Sequence, residues 1–293
     1  MRLVTFAQGD AQQGGVVIGE RVYPLADLGL PGSVVELLEL EDAGVAQLTA
    51  AVASPKGDGI ALGDVKLLAA LTNPPAIFLL AGNYQSHLVE GGGKSVNKSE
   101  ITPRVFIKPI TSVIGTGDAI EVPVVSDTVD YELEIAAVIG KRCKNVSAAD
   151  ADSVIAGYVV FNDVSARELN TVSHRKARDG DMFFDWLIGK WCDSFAAIGP
   201  YLVTRDEIAD PTDLEMSLKV NGELRQHSSA GEMIFTVPET IEYLSKFVTL
   251  LPGSLICMGT PGGVGATTAT YLKSGDVVVA EIEKLGTLEN SVK

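Results

Sequence analysis

The chain has 293 residues, 46% of them hydrophobic, and sets 23 Lys plus Arg against 38 Asp plus Glu for a formal net charge of −15. That length supplies a large core with room for two domains, and an acidic surface without a basic cluster excludes a polyanion such as DNA as partner. No basic leader pattern opens the chain, and the apolar runs Ile77–Ala81 and Ile135–Ile139 fall far short of the ~20 residues of a membrane helix, so a soluble, cytoplasmic protein is expected.

In chain order, Leu3–Phe6, Val16–Ile18 and Arg21–Pro24 read as short strands separated by Gly-containing turns. Ser33 and Glu36 fit a capping box that opens a helical stretch through Leu37, Leu38 and Leu40, and Val45–Val52 forms a second helical piece. Asn73-Pro74-Pro75 interrupts the pattern, which predicts a small α+β domain over 1–72 and a second domain over 73–293. Strand candidates then follow at Ile77–Leu80, Val105–Ile107, Leu133–Ile139, Tyr158–Phe161, Met216–Val220, Ser254–Met258 and Val277–Ile282. Two helices are expected, Ala148–Ala156 behind Ser147 and Pro238–Val248 behind Thr236 or Val237. Strands and helices do not alternate, so the fold class is mainly β with α rather than a doubly wound sheet.

Cys143, Cys192 and Cys257 form no C-x-x-C, and His87, His174 and His227 form no H-E-x-x-H. A metal would therefore rest on carboxylates, which favours Mg2+, Mn2+ or Ca2+ over Zn2+. Gly91-Gly-Gly-Lys94-Ser95 has Leu88 where a phosphate loop needs its first Gly, and Gly259–Gly265 lacks dinucleotide spacing. Glu132-Leu-Glu134 places two carboxylates on one strand face, either an exposed charged face or one side of a cation site. Asp163 ends an apolar strand and could cap a turn or complete such a site. His87-x-x-Glu90 at helical spacing is either a surface pair or an oriented base beside the possible hinge Gly91–Gly93. Lys190, between Phe183–Ile188 and Trp191, either snorkels to solvent or pairs with a buried anion. Arg167 suits a structural ion pair and a carboxylate clamp equally.

The ordered segments Gly82-Asn83-Tyr84-x-x-His87-x-x-Glu90, Pro103-Arg-Val-Phe106-Ile-Lys108, Asp130-Tyr-Glu132-Leu-Glu134 and Asn162-Asp163-Val-Ser-Ala-Arg167 resemble the fumarylacetoacetate hydrolase family. The resemblance continues through Gly189-Lys190, Asp193-Ser-Phe195, Gly199-Pro200, Val220-Asn221-Gly222-Glu223, Met233-Ile-Phe235 and Gly259-Thr260-Pro261-x-Gly263-Val-Gly265, covering most of 75–293. It implies a β-roll or sandwich catalytic domain, a homodimer, and Mg2+ or Mn2+ (Ca2+ as a further option) bound by Glu132, Glu134 and Asp163. It further implies a His87–Glu90 dyad on a lid, Lys190 beside the metal, and Arg167, Asn170 and Thr260 on the substrate. Two positions depart from the family pattern: Asn170 stands where relatives commonly carry Gln, and Trp191 replaces a small residue and could narrow the pocket.

The reaction that the resemblance implies is hydrolysis of a carbon–carbon bond in a small anionic 2,4-dioxo acid, an acylpyruvate, through a metal-stabilised enolate. His87 with Glu90 activates water and Lys190 stabilises the oxyanion. Oxaloacetate decarboxylation, enol–keto tautomerisation and sugar-acid dehydration suit the same core, and a non-catalytic anion-binding protein is the alternative outside enzymes.

Overall fold

The computed structural model describes residues 1–293 apart from Asp10 and Ala209. Strand Leu133–Ile139 is buried along its whole length, as its composition of Leu, Ile, Ala and Val permits. It lies antiparallel between Ile155–Asp163 on one side and Leu255–Cys257 on the other. Period-two alternation divides its side chains between two cores. Leu133, Ile135, Ala137 and Ile139 enter one, and Ala136 and Val138 enter the other.

The sheet extends from this centre in both directions. Leu255–Cys257 pairs in parallel with Ile77–Leu80, which pairs antiparallel with Val105–Ile107 at the edge. On the other side Ile155–Asp163 pairs with Ala196–Thr204, which in turn pairs with Arg2–Gln8. The strands Ala11–Ile18 and Arg21–Pro24 continue the same sheet, so the first 72 residues extend it rather than building one of their own.

A second, five-stranded sheet covers the first core. It consists of Glu223–Ser229, Glu215–Val220, Val277–Ile282, Gly286–Val292 and Ala119–Ile120. Here the alternation is clean: Met216, Leu218 and Val220 face inward, as do Val278, Ala280 and Ile282, while their neighbours face outward. The other core is roofed by helices Val34–Glu39 and Glu41–Ala53. The expected mainly β architecture with a few helices is therefore the observed one.

Helix starts follow the sequence closely. Ser33 Oγ accepts from the Glu36 N–H while the Glu36 carboxylate accepts from the Ser33 N–H. The helix expected at Pro238–Val248 spans Val237–Phe247. The one expected at Ala148–Ala156 does not form: a single 3-10 turn, Ala151–Val154, leads into the strand at Ile155. Ile155 joins the central ladder opposite Ile139, and that pairing overrides the local helical preference of the alanines. Among the described residues no helix is long and apolar enough to cross a membrane.

Candidate active site

The central register builds the acidic centre. Leu133 lies opposite Asn162 and Glu134 opposite Phe161, so Glu132 and Asp163 face each other across the next step of the ladder. The Asp163 N–H donates to the Glu132 carbonyl at 2.8 Å, which fixes that step. Glu132 and Glu134 have the parity of Ala136 and Val138, and Asp163 that of Phe161 and Val159, so the three carboxyls point to one side of the sheet. One oxygen from each comes within 4.8 Å of the others. All three residues are buried, which removes the exposed-strand reading of Glu132 and Glu134 and the turn-cap reading of Asp163.

Two lysines enter this cluster. Lys190 Nζ lies 2.9 Å from Glu132 Oε2 and 2.7 Å from Asp163 Oδ2, so the lysine is an interior ion-pair partner rather than a snorkelling surface residue. Burial opposes its charge, yet Asp163 and Glu132 outweigh burial and raise the ammonium above its ordinary value. Lys108 Nζ reaches Asp163 Oδ1 at 2.5 Å and donates to the Val164 carbonyl at 2.9 Å. Its role was not legible in the sequence, where it appears only as the last residue of the Pro103–Lys108 segment; the available signal was a lysine two residues after a buried strand position, Phe106.

Arg167 joins two carboxylates, its guanidinium 2.8 Å from Asp130 and 2.7 Å from Glu132. Burial raises the carboxyl of Glu132, but Lys190 and Arg167 outweigh it and hold the group below the usual carboxylate range. Glu134 moves the other way, pushed well up by burial and by Asp163 and Glu132. One of its oxygens accepts from the Gly259 N–H at 2.8 Å, and the other, Oε1, is buried without a hydrogen-bond partner. Gly259 has φ +80°, and a Cβ there would approach the Leu80 carbonyl at 2.9 Å, so the loop needs glycine to bring its N–H to Glu134.

An all-oxygen set with an orphaned buried carboxylate oxygen fits a hard divalent cation. Four acidic groups, Asp130, Glu132, Glu134 and Asp163, face the three basic groups Lys108, Arg167 and Lys190, and Glu134 has no basic side chain among its hydrogen-bond partners.

The roof of the site is the helix Gln85–Glu90. His87 Nδ1 lies 2.9 Å from Glu90 Oε1, as the i, i+3 spacing predicts, with both side chains partly exposed. Glu90 Oε2 accepts from the Gly263 N–H at 2.6 Å, and Ser86 Oγ accepts from the Gly262 N–H at 3.2 Å. The Gly259–Gly265 loop therefore docks the helix and orients its glutamate. Behind it, Asn83 donates to the Phe235 and Met258 carbonyls at 3.0 and 2.8 Å, joining two of the segments that carried the family resemblance.

Glu132, His87, Arg167, Lys190, Thr260 and Trp191 line one cavity of about 970 Å³. Thr260 Oγ1 accepts from Gln226 Nε2 at 2.8 Å, and Gln226 Oε1 accepts from the Leu133 N–H at 2.9 Å. Gln226 thus ties the second sheet to the site; its only sequence signal was a polar residue on an inward strand position. Trp191 donates its indole N–H to the Ile107 carbonyl at 3.0 Å and forms part of the wall. Asn170 is not brought in: it is exposed, outside the cavity lining, and bonds through its backbone N–H to Val125.

The family model described as fumarylacetoacetate (FAA) hydrolase C-terminal matches residues 76–293. The chain belongs to the fumarylacetoacetate hydrolase family. Its similarity to relatives extends beyond that region. The Xenopus laevis protein named oxaloacetate tautomerase fahd2, mitochondrial, is 38% identical over 100% of this chain and 90% of its own length. The Bos taurus oxaloacetate tautomerase FAHD2B, mitochondrial, is 40% identical over 90% of this chain and 80% of its own length. Among solved structures, maleylpyruvate hydrolase from Sphingobium sp. SYK-6 in complex with manganese(II) ion and pyruvate gives a TM-score of 0.79 at 28% identity, covering 100% of this chain and 98% of that one. The 2-hydroxyhepta-2,4-diene-1,7-dioate isomerase from Mycobacterium marinum gives 0.73 at 32% identity, with coverage of 100% and 98%.

Proposed function

We propose that this family member moves a proton at C3 of a small 2-oxo acid, interconverting its keto and enol forms, with oxaloacetate as the first substrate to try. The observation that carries this reading is that the buried acidic cluster, through Glu132, and the His87–Glu90 pair, through His87, border one cavity. Support also comes from the relatives named oxaloacetate tautomerase, which match along most or all of the chain.

A divalent cation, Mg2+ or Mn2+, held by Glu132, Glu134 and Asp163 would polarise the oxo and carboxylate oxygens of the acid. His87, with Nδ1 engaged by Glu90, presents its other ring nitrogen to the C3 proton. Taking that proton leaves an enolate, whose C2 oxygen gains a proton from solvent to give the enol; loss of the O–H proton and return of the His87 proton to C3 reverse the step. Lys190, pinned between Glu132 and Asp163, keeps positive charge where oxygen gains negative charge. Arg167 and Thr260 hold the substrate's carboxylate end, and the bound divalent cation would offset the repulsion between an anion and a −15 protein.

Hydrolysis of an acylpyruvate is the second reading. The volume of about 970 Å³ favours it, since a four-carbon acid leaves ample space for a water and an acyl group. There His87 would take its proton from water rather than from C3.

Metal-stripped protein given oxaloacetate and acetylpyruvate separately, before and after adding Mg2+ or Mn2+, tests both readings. Metal-dependent decay of enol absorbance without CO2 supports the tautomerase, whereas pyruvate plus acetate from acetylpyruvate supports the hydrolase. Pyruvate plus CO2 from oxaloacetate would make the enzyme a decarboxylase, and turnover indifferent to metal would sink the site assignment. A homodimer belongs to the same proposal: Met182, Phe184 and Ile188 are exposed apolar residues outside the cavity lining, and sedimentation at micromolar concentration reads the mass.

A further inference from the structure

The cavity is far larger than the acid its floor is built to hold. Pockets of about 300–1,000 Å³ enclose drug-sized ligands, and this one, at about 970 Å³, lies near the top of that range. Its charged lining is concentrated at Glu132, Arg167, Lys190 and His87, with Arg104 on the neighbouring edge strand region. Apart from Thr260 the remaining wall is apolar, with Phe106, Phe183, Trp186 and Trp191 as its aromatic members.

That wall is ordered. Phe183, Trp186, Leu187, Lys190 and Trp191 all line the cavity, and their spacing of 0, 3, 4, 7 and 8 places them on one face of helix Asp181–Ile188 and the turn that continues it. Starting at the acidic floor, Lys190 Nζ lies 5.3 Å from the centre of the Phe106 ring and 5.9 Å from that of Trp186. Phe106 meets Trp186 edge-on at 5.0 Å, and Trp186 stacks on Phe183 at 6.0 Å. The row of rings therefore begins at the ammonium and runs outward to Phe183, a residue that is 59% exposed. A ring left open to solvent at the end of a stacked row, inside a ligand cavity, is apolar surface that burial against a ligand would stabilise. The helix carrying it is fixed rather than loose: Arg175 binds both Asp181 and Asp185, at 2.9 and 2.8 Å.

We propose that the substrate is a 2-oxo acid bearing an apolar, preferably aromatic, group beyond C3, which lies along the Phe106–Trp186–Phe183 row while the oxo-acid head sits over the acidic floor. This assignment rests on the 2-oxo acid reading of the site, keeps its chemistry, and ranks oxaloacetate, the first substrate to try, below an acid with an aromatic group. A second carboxylate at that end, as in a dicarboxylic acid, would face these rings and would have to turn toward Arg104 instead.

The test is calorimetric binding to the Mn2+-loaded protein of pyruvate, phenylpyruvate and 2-oxoglutarate, with and without Phe183→Ala. Phenylpyruvate should bind at least tenfold tighter than pyruvate, and Phe183→Ala should reduce that ratio to within about threefold. Trp186→Ala provides a second variant with the same expectation. Equal affinities, tighter binding of 2-oxoglutarate, or a ratio that survives both substitutions would each overturn the proposal. A Phe183→Ala protein with altered oligomeric mass and an intact ratio would overturn it as well, by making the ring a subunit contact. If none of the three acids binds, the underlying 2-oxo acid reading fails; if phenylpyruvate binds preferentially but its keto–enol interconversion is not accelerated, only the reaction assignment fails.

Discussion

Lys108 is fully buried with its ammonium against Asp163, and burial drives its proton affinity down while Asp163 pulls it back. Such a pair is costly to break on one side, because the remaining charge stays in the interior. Lys108→Met should destabilise the protein by roughly 3–5 kcal/mol in chemical denaturation. An unchanged midpoint would show that Asp163 finds compensation elsewhere. The roles of the floor and roof separate in the same way. Glu134→Gln should weaken Mn2+ binding at least tenfold by calorimetry, whereas His87→Ala should abolish turnover with metal affinity retained; loss of metal binding in His87→Ala would make the imidazole a ligand. At this scale the residue types in Glu132, Glu134, His87 and Glu90 were legible because spacing alone placed each pair on one face. Lys108 and Gln226 were not, since their roles come from partners 55 and 93 positions away.

Among the elements, helix Val237–Phe247 is fixed by its own sequence. The Glu239 carboxylate accepts from the Thr236 N–H and hydroxyl, both at 2.8 Å, and pairs with Lys98. Burial raises this carboxyl, but Lys98 and Thr236 outweigh burial and set it below its ordinary value. A group lowered in the folded state stabilises at neutral pH and loses that contribution as acid protonates it. Glu239→Ala should therefore cost about 0.3–1.5 kcal/mol at pH 7, and the gap from the parent protein should close below the usual carboxylate range. Denaturant titrations across pH 3–7 check this, and a gap independent of pH would rule the ionised cap out. The segment 148–156 marks the limit of such local reading. Its alanines favour a helix, but a place in the ladder opposite Ile139 satisfies the backbone of Ile155 and takes the chain into a strand.

For the molecule as a whole, the sheet runs without a break from the first strands to the buried acidic cluster. Arg2–Gln8 covers the edge of Ala196–Thr204, whose Ala196 is opposite Asp163 on the next strand. Removing 1–72 should lower the denaturation midpoint of the remainder and expose Leu202 and Ile198; a fragment as stable as the full chain would show that the two parts fold independently. Cation binding should act in the opposite direction, raising the melting temperature in proportion to the logarithm of free Mn2+, by an amount equivalent to about 2.7 kcal/mol at a hundred times Kd. Asp163→Asn should blunt that rise.

By itself the sequence determined the mainly β class, the two capped helices and the chemical character of the acidic strand ends, because these depend on periodicity and on neighbours a few residues apart. The tertiary structure alone decided which charges meet. Glu132, Lys108, Lys190 and the Asp163–Arg167 pair come from four separate segments, and only the ladder register and burial turn them into one electrostatic unit. The aromatic row leading out of that unit was likewise set by packing: Phe106 meets Trp186 across 80 positions of chain, a distance over which no local pattern carries information.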